Sequence, residues 1–100
     1  MHMYKLVGKI PIPCDFFDVE AWKIENRLVA KTFLNGSKVS TVFLGIEHGF
    51  DKECPILFET MVFGGTLDGE QDRYCTYDEA VSGHKAMVQR VKDGLTEGGD

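Results

Sequence analysis

Two apolar runs near the middle of the chain dominate its pattern of hydrophobic and polar positions. Residues 39–46 and 56–63 are rich in β-branched and aromatic residues, and the polar segment 47–55 separates them. Runs of this length and composition, bounded by Gly and Pro, are typical of neighbouring strands that bury much of their surface. We therefore predict a sheet built around this pair of strands.

A hairpin is predicted directly before the first of these runs. Residues 26–34 have the composition of a strand, and Asn35-Gly36 joins them to the next strand. Asn-Gly is typical of a type I′ turn, which needs a positive φ at both central positions. A two-residue loop pairs Leu34 with Ser37. Counting outward predicts three further pairs: Thr32 with Val39, Ala30 with Thr41, and Leu28 with Phe43.

Both faces of this hairpin carry apolar residues. A strand pair with two apolar faces is expected to be covered on both sides. One helix cannot cover both, so either the N-terminal segment or another subunit covers the second face. We predict a homodimer on this ground.

The ends of the chain add one more strand and two helices. Residues 4–10 are predicted to form an edge strand that ends at Pro11 and Pro13. Residues 16–25 form a short helix capped by Asp15. Thr76-Tyr-Asp-Glu79 is a capping box. The helix that it opens runs to about Lys92 and is stopped by Gly94. Its apolar stripe comprises Ala80, Val81, His84, Met87, Val88 and Val91.

The predicted fold class is α+β in a single domain over residues 1–100. It has about four mainly antiparallel strands, the C-terminal helix packed on one face, and a short N-terminal helix nearby. The segment 66–75 is predicted to be a polar connection.

Charge and cysteine content narrow the function. The formal net charge is −5, and the eleven basic residues do not cluster in the sequence, so we expect no general nucleic-acid binding. Three cysteines without a Cys-x-x-Cys pair predict free thiols in a reducing cytoplasm. We expect no signal peptide, because no long apolar run follows residues 1–5. No apolar run reaches the ~20 residues that cross a membrane.

Polar residues in apolar surroundings are the candidates for chemistry. Glu59 lies mid-strand, where it either pairs with a basic residue on a neighbouring strand or serves as a polar anchor or general base. His84 lies on the apolar stripe of the helix. It is either a core histidine whose ring nitrogens are hydrogen-bonded, or a partner of Glu59, and pairing with Glu59 would raise the pKa of the imidazole. His48 lies in a loop, as an exposed residue or a binding residue.

We predict that five residues converge at one end of the sheet to bind a ligand: His48, Glu59, Arg73, Tyr74 and His84. Arg73 would supply an anion-binding fork and Tyr74 a stacking ring, which suits a phosphorylated or nucleotide-like ligand. Asp51 and Cys54 add ligand atoms of the kinds that metals bind, but the spacing matches no recognised metal motif. No cofactor is expected.

The residues also resemble a family of small uncharacterised proteins encoded mostly by bacteriophages and prophages. The resemblance covers roughly residues 29–91. It is carried by Val39-Ser-Thr-Val-Phe-Leu-Gly with His48, Leu57-Phe-Glu-Thr-Met-Val-Phe-Gly-Gly65, Arg73-Tyr74, Asp78-Glu-Ala and Gly83-His84. It implies a phage setting and the cytoplasm of the host cell.

Two functions follow as hypotheses. The first is a non-enzymatic binding protein that blocks a host protein or sequesters a small signalling nucleotide, as anti-defence proteins do. The second is a small metal-assisted or acid/base enzyme that uses Glu59 with His48 or His84.

Overall fold

Eight strands and one long helix make up the part of the chain that the structure, a computed structural model, describes. The described residues are 2–15, 18, 27–34, 36–51 and 53–98, so the helix predicted over residues 16–25 lies outside them apart from Asp18. The strands are β1 (Met3–Val7), β2 (Ile10–Cys14), β3 (Leu28–Leu34), β4 (Ser37–Phe43), β5 (Phe50–Asp51), β6 (Cys54–Pro55), β7 (Phe58–Phe63) and β8 (Gln71–Tyr74), and the helix is α1 (Tyr77–Gly98).

A four-stranded antiparallel sheet is the centre of the fold. Its strand order is β3-β4-β7-β8, and α1 packs across all four strands on one face. The α+β class and the helix on one face are therefore confirmed. The total number of strands is higher than the predicted four, because two further hairpins, β1-β2 and β5-β6, form outside this sheet.

The register of the β3-β4 hairpin follows the two-residue loop over most of its length. Leu34 pairs with Ser37, Thr32 with Val39 and Ala30 with Thr41, as predicted. Leu28 pairs with Val42 instead of Phe43, because a β-bulge interrupts the register between Leu28 and Ala30. The bulge leaves Val29 packed against the core. A single extra residue was enough to make the outermost predicted pair wrong.

The prediction that Pro11 and Pro13 end a strand is wrong. Both prolines lie within β2. They face Leu6 and Tyr4 across the β1-β2 pair. The Tyr4 amide donates to the Gly45 carbonyl at 2.7 Å, away from β2, so the Tyr4–Pro13 pair is a non-hydrogen-bonded one. Pro11 has the same orientation. Neither proline therefore removes a hydrogen bond between β1 and β2. Because β1 also bridges Ile46 on its other side, it is not the free edge that was predicted.

The polar segment before α1 was wrongly predicted to lack a strand. Its residues 71–74 form β8 and pair with β7. The sequence Gln-Asp-Arg-Tyr gives no apolar alternation, so pairing with an existing strand supplies the order that local propensity does not.

The start of α1 is the predicted capping box. The Glu79 amide donates to the Thr76 hydroxyl at 3.1 Å, and the Thr76 amide donates to a Glu79 carboxylate oxygen at 3.0 Å. The predicted stop at Gly94 is wrong, because α1 continues to Gly98. Gly94 takes no positive φ, so it lies within the helix and does not form the left-handed cap.

The core under α1 consists of two separate apolar clusters. One contains Val39, Val62, Met87 and Val91, and the other contains Phe43, Leu57, Phe58 and Ala80. The rings of Phe43 and Phe58 meet edge to face in the second cluster, with centroids 5.2 Å apart. The helix residue between the two clusters is His84, which places a polar group in the middle of the interface.

Candidate functional site

A layer of hydrogen-bonded polar side chains separates the two apolar clusters under the helix. His84 bonds through Nε2 to the Thr32 hydroxyl and through Nδ1 to the Thr41 hydroxyl, each at 2.8 Å. The Thr41 hydroxyl in turn lies 2.5 Å from the Thr60 hydroxyl. Thr41 and Thr60 are fully buried and His84 is nearly so. The layer therefore links the helix to three neighbouring strands.

The surroundings of the His84 ring favour its neutral form. A neutral imidazole donates from one nitrogen and accepts at the other, and threonine hydroxyls can rotate to match either tautomer. Burial lowers the pKa of His84, because removal from water disfavours the charged ring. The predicted rise in the pKa of this imidazole is therefore wrong.

Tyr74 lies beside this layer under the first half of the helix. Its ring packs so closely on Gly83 that a Cβ at that position would collide with both the ring and the hydroxyl. The hydroxyl oxygen is buried and makes no hydrogen bond of ordinary geometry among the described residues. Burial raises the pKa of Tyr74, and the nearby Thr60 hydroxyl partly offsets that rise. Gly83 is thus needed for the close approach of α1 to the sheet.

Glu59 and Arg73, two more of the predicted site residues, lie on the opposite face of the sheet. The Arg73 Nε donates to a Glu59 carboxylate oxygen at 2.9 Å, and the two residues are paired across β7 and β8. The Glu59 side chain is 15% exposed and that of Arg73 is 40% exposed. Of the two alternatives for Glu59, this ion pair is the first, in which Glu59 pairs with a basic residue on a neighbouring strand.

The predicted convergence of Glu59 with His84 is wrong, because the two lie on opposite faces of the sheet. Phe58 and Thr60 of β7 face the helix and are buried, so Glu59 between them faces the other way. The same alternation along β8 sends Arg73 and Tyr74 to opposite faces. The structure therefore brings Tyr74 near His84, and Glu59 to Arg73, as two separate groups.

His48 belongs to neither group. It lies exposed in the segment between β4 and β5, and its amide donates to the Ile56 carbonyl at 3.0 Å. Its imidazole makes no hydrogen bond to the other four predicted residues, all of which the structure describes. Within the described residues, no group of three or more His, Cys, Asp and Glu side chains is placed to hold a metal ion. Cys14, Cys54 and Cys75, all of which the structure describes, form no disulfide with one another.

An open groove lies on the face away from the helix, at the end of the sheet nearest the β3-β4 turn. It has a volume of about 370 Å³, and its lining includes Phe33, Lys38 and Phe63. These three residues form one cross-strand row, because Lys38 pairs with Phe33 on one side and with Phe63 on the other. Both rings are exposed, Phe33 by 69% and Phe63 by 45%. The row thus carries a lysine on its central strand and a phenylalanine on each neighbouring strand.

The lysines of this face lie over the rings. Lys38 Nζ is 4.6 Å from the centroid of the Phe63 ring, and Lys31 Nζ is 5.6 Å from that of Phe33. Both distances are within the range of cation–π contacts. With Arg73 and Glu59, the face carries three basic side chains and one carboxylate, although the chain as a whole has a net charge of −5. Basic character is therefore concentrated here.

The groove residues were not predicted as a site. Counting from the Asn-Gly turn would have paired Phe33 with Lys38, since the register near the turn is regular. The position of Phe63 beside Lys38 depends on the pairing of β4 with β7, which joins residues far apart in sequence. Only the assembled sheet shows the row.

No family model, curated protein or solved structure matches the chain. Among the helices of the described residues, none is both long and apolar enough to cross a membrane.

Proposed function

We propose that this chain is a non-enzymatic binding protein that holds a small, nucleotide-like ligand in the groove of the open sheet face. The proposal rests on one observation: Lys38 is paired across the strands with Phe33 on one side and Phe63 on the other, and both rings are exposed. Aromatic rings stack on the planar base of a nucleotide, and an ammonium group pairs with its phosphate.

Two properties of the groove favour a small ligand over a large host protein. A volume of about 370 Å³ is at the lower end of the range of small-molecule sites. The binding groups are also confined to one row of three side chains. Blocking a host protein, the other binding role that the sequence suggested, would need a wider contact surface.

The phage-like sequence patterns supply the setting of the proposal. A phage-encoded protein that acts in the host cytoplasm and sequesters a signalling nucleotide would serve as an anti-defence protein. Such a protein needs tight binding and no turnover, and an open groove on a rigid sheet provides binding without a reaction step.

The enzymatic alternative used Glu59 with His48 or His84, and Glu59 and His84 lie apart. Glu59 is bonded to Arg73 on the open face, and His84 is bonded to two threonines under the helix. No specific contact favours an acid/base role for Glu59 with His48.

The binding proposal is tested by titrating the protein with uridine 5′-monophosphate while recording NMR spectra. We expect chemical-shift changes centred on Phe33, Lys38 and Phe63, and loss of binding in Lys38→Glu. Lys85→Glu, which makes the same charge change on the exposed side of α1, is the matched control. Shifts elsewhere, or equal loss in both variants, would contradict the proposal.

A homodimer is a second part of the proposal. Val7, Ile10 and Ile12 are exposed by 57%, 63% and 38%, and cross-strand pairing places them on one face of the β1-β2 hairpin. The opposite face of the hairpin carries Leu6 and Tyr4, which pack against the core. Dimerisation through the exposed apolar face would leave the groove open. Sedimentation of the wild type and of Ile10→Lys tests this, and a wild-type species of 11.2 kDa alone would rule it out.

A further inference from the structure

We infer that the groove recognises a dinucleoside phosphodiester, with two unstacked bases on Phe33 and Phe63 and the bridging phosphate on Lys38. This inference rests on the proposed nucleotide-binding function and narrows its ligand class. It starts from the order phenylalanine, lysine, phenylalanine in one cross-strand row. Base, phosphodiester, base is the same order of chemical groups.

The spacing of the two strands suits bases that lie side by side and do not stack on each other. Phe33 and Phe63 lie on β3 and β7, with β4 between them. Two strand spacings separate their positions by about 10 Å. Stacked bases are only about 3.4 Å apart, so two bases that each cover one of these rings, side by side across the sheet, must be splayed. Splayed bases that stack on aromatic side chains are a common mode of single-strand recognition.

Lys38 can leave its position over Phe63 when the ligand binds. Its ammonium lies 4.6 Å from the ring centroid, where it occupies the ring face that a base would cover. An exposed cation–π contact contributes only ~0.5–1 kcal/mol. Pairing with a phosphate replaces this contact by a charge-assisted one, which is stronger. The lysine would therefore move from the ring to the phosphate as the base takes its place.

Charge decides between a short ligand and a long single strand. Beyond Phe63, the Gly64 amide donates to the Asp68 carboxylate at 2.6 Å, so an anionic group lies next to that end of the row. The whole chain carries a net charge of −5. A strand that continued past Phe63 would bring its next phosphate toward Asp68. The ligand that fits is a free dinucleotide with one bridging phosphate.

Binding of uridine ligands, measured by isothermal titration calorimetry or NMR titration, tests this inference. Uridine stacks weakly on itself, so both bases are free to contact the rings. The probes are uridine 5′-monophosphate, the dinucleotide UpU and a short oligouridylate. We expect UpU to bind at least about tenfold more tightly than the mononucleotide. The affinity of the oligouridylate, divided by its number of dinucleotide steps, should be no higher than that of UpU.

Variants of the two rings should remove this advantage. We expect Phe33→Ala and Phe63→Ala each to weaken UpU binding by about 5- to 140-fold, the usual range for one base–aromatic stack. Each should leave binding of the mononucleotide much less affected. Phe50→Ala removes an equally exposed ring on β5, outside the groove, and is the matched control. Thermal denaturation confirms that each variant is folded.

The outcomes separate this inference from the function on which it rests. Equal affinity for UpU and the mononucleotide would overturn the two-base site while leaving nucleotide binding in place. No binding of either would contradict the proposed function itself. An oligouridylate that binds about tenfold more tightly per step would overturn the short ligand and identify a single-stranded nucleic acid.

Discussion

The two faces of the central sheet treat polar residues in opposite ways. Under α1 the polar groups are neutral, buried and bonded to one another, as in the layer of His84, Thr41 and Thr60. On the open face they are charged and in contact with solvent, as are Lys38 and Arg73. Burial of a charge is costly, whereas a hydroxyl needs only one good partner. The same sheet therefore has one face suited to holding the helix and another suited to binding.

The covered polar layer also defines how the helix is seated. It separates two apolar clusters that could each tolerate small shifts of α1 along the sheet. Hydrogen bonds from His84 to two strands are satisfied in only one register of helix on sheet. Polar groups that select one packing arrangement have this role in coiled coils. The comparison of the two faces yields four predictions, given from the largest expected effect to the smallest.

Removing the His84 ring should have the largest effect on stability. His84→Ala leaves a cavity and deprives Thr32 of its partner, and we expect a loss of about 3 kcal/mol in the free energy of unfolding. Urea denaturation measures it. Lys85→Ala, the next residue on the exposed side of the helix, should change the midpoint little. Similar midpoints for both variants would show that the polar layer does not hold the helix.

Two glycines of the helix should respond oppositely to alanine. Gly83→Ala forces a Cβ against the Tyr74 ring, and we expect a net loss of about 1–2 kcal/mol after the gain in helix propensity. At Gly94 the added Cβ meets only the Thr66 hydroxyl at 3.6 Å, an ordinary contact. Gly94→Ala should therefore stabilise by up to about 1 kcal/mol. Stabilisation by both substitutions, measured by urea denaturation, would contradict the close packing of Tyr74.

Low pH should lower the stability of the folded protein, because His84 is buried under the helix. Burial lowers the pKa of His84 in the folded state below the ordinary value of 6.5, so the unfolded chain binds the proton more tightly. The stabilisation is complete above pH 6.5 and is lost as the pH falls from there through the folded-state pKa. We expect an effect smaller than that of removing the ring. The contribution of His84 is read as the difference in the pH dependence of unfolding between wild type and His84→Gln.

The ion pair of the open face should matter least for stability. Glu59→Gln removes the charge opposite Arg73, and exposed or partly exposed pairs contribute only ~0–1 kcal/mol. We expect a loss of less than about 1 kcal/mol, measured by urea denaturation. A large loss of stability would show that the open face is as tightly coupled to the fold as the covered one.

Local rules predicted those features whose partners lie close in sequence. The capping box joins Thr76 to Glu79, and the hairpin register near the turn depends on a two-residue loop. Where a bulge intervened, at Leu28, the same counting became wrong. The strand β2 was missed because only its pairing shows that Pro11 and Pro13 direct their nitrogens away from β1.

The sequence by itself determined the elements that local chemistry specifies: the register of the β3-β4 hairpin near its turn, the capped helix and its apolar stripe, and a strand within residues 56–63. The tertiary structure decided which face of each strand meets the helix. That choice separated Glu59 from His84, because alternate residues of a strand point to opposite sides. It also assembled Phe33, Lys38 and Phe63 into one row, because strand order is set by pairing between segments distant in the chain.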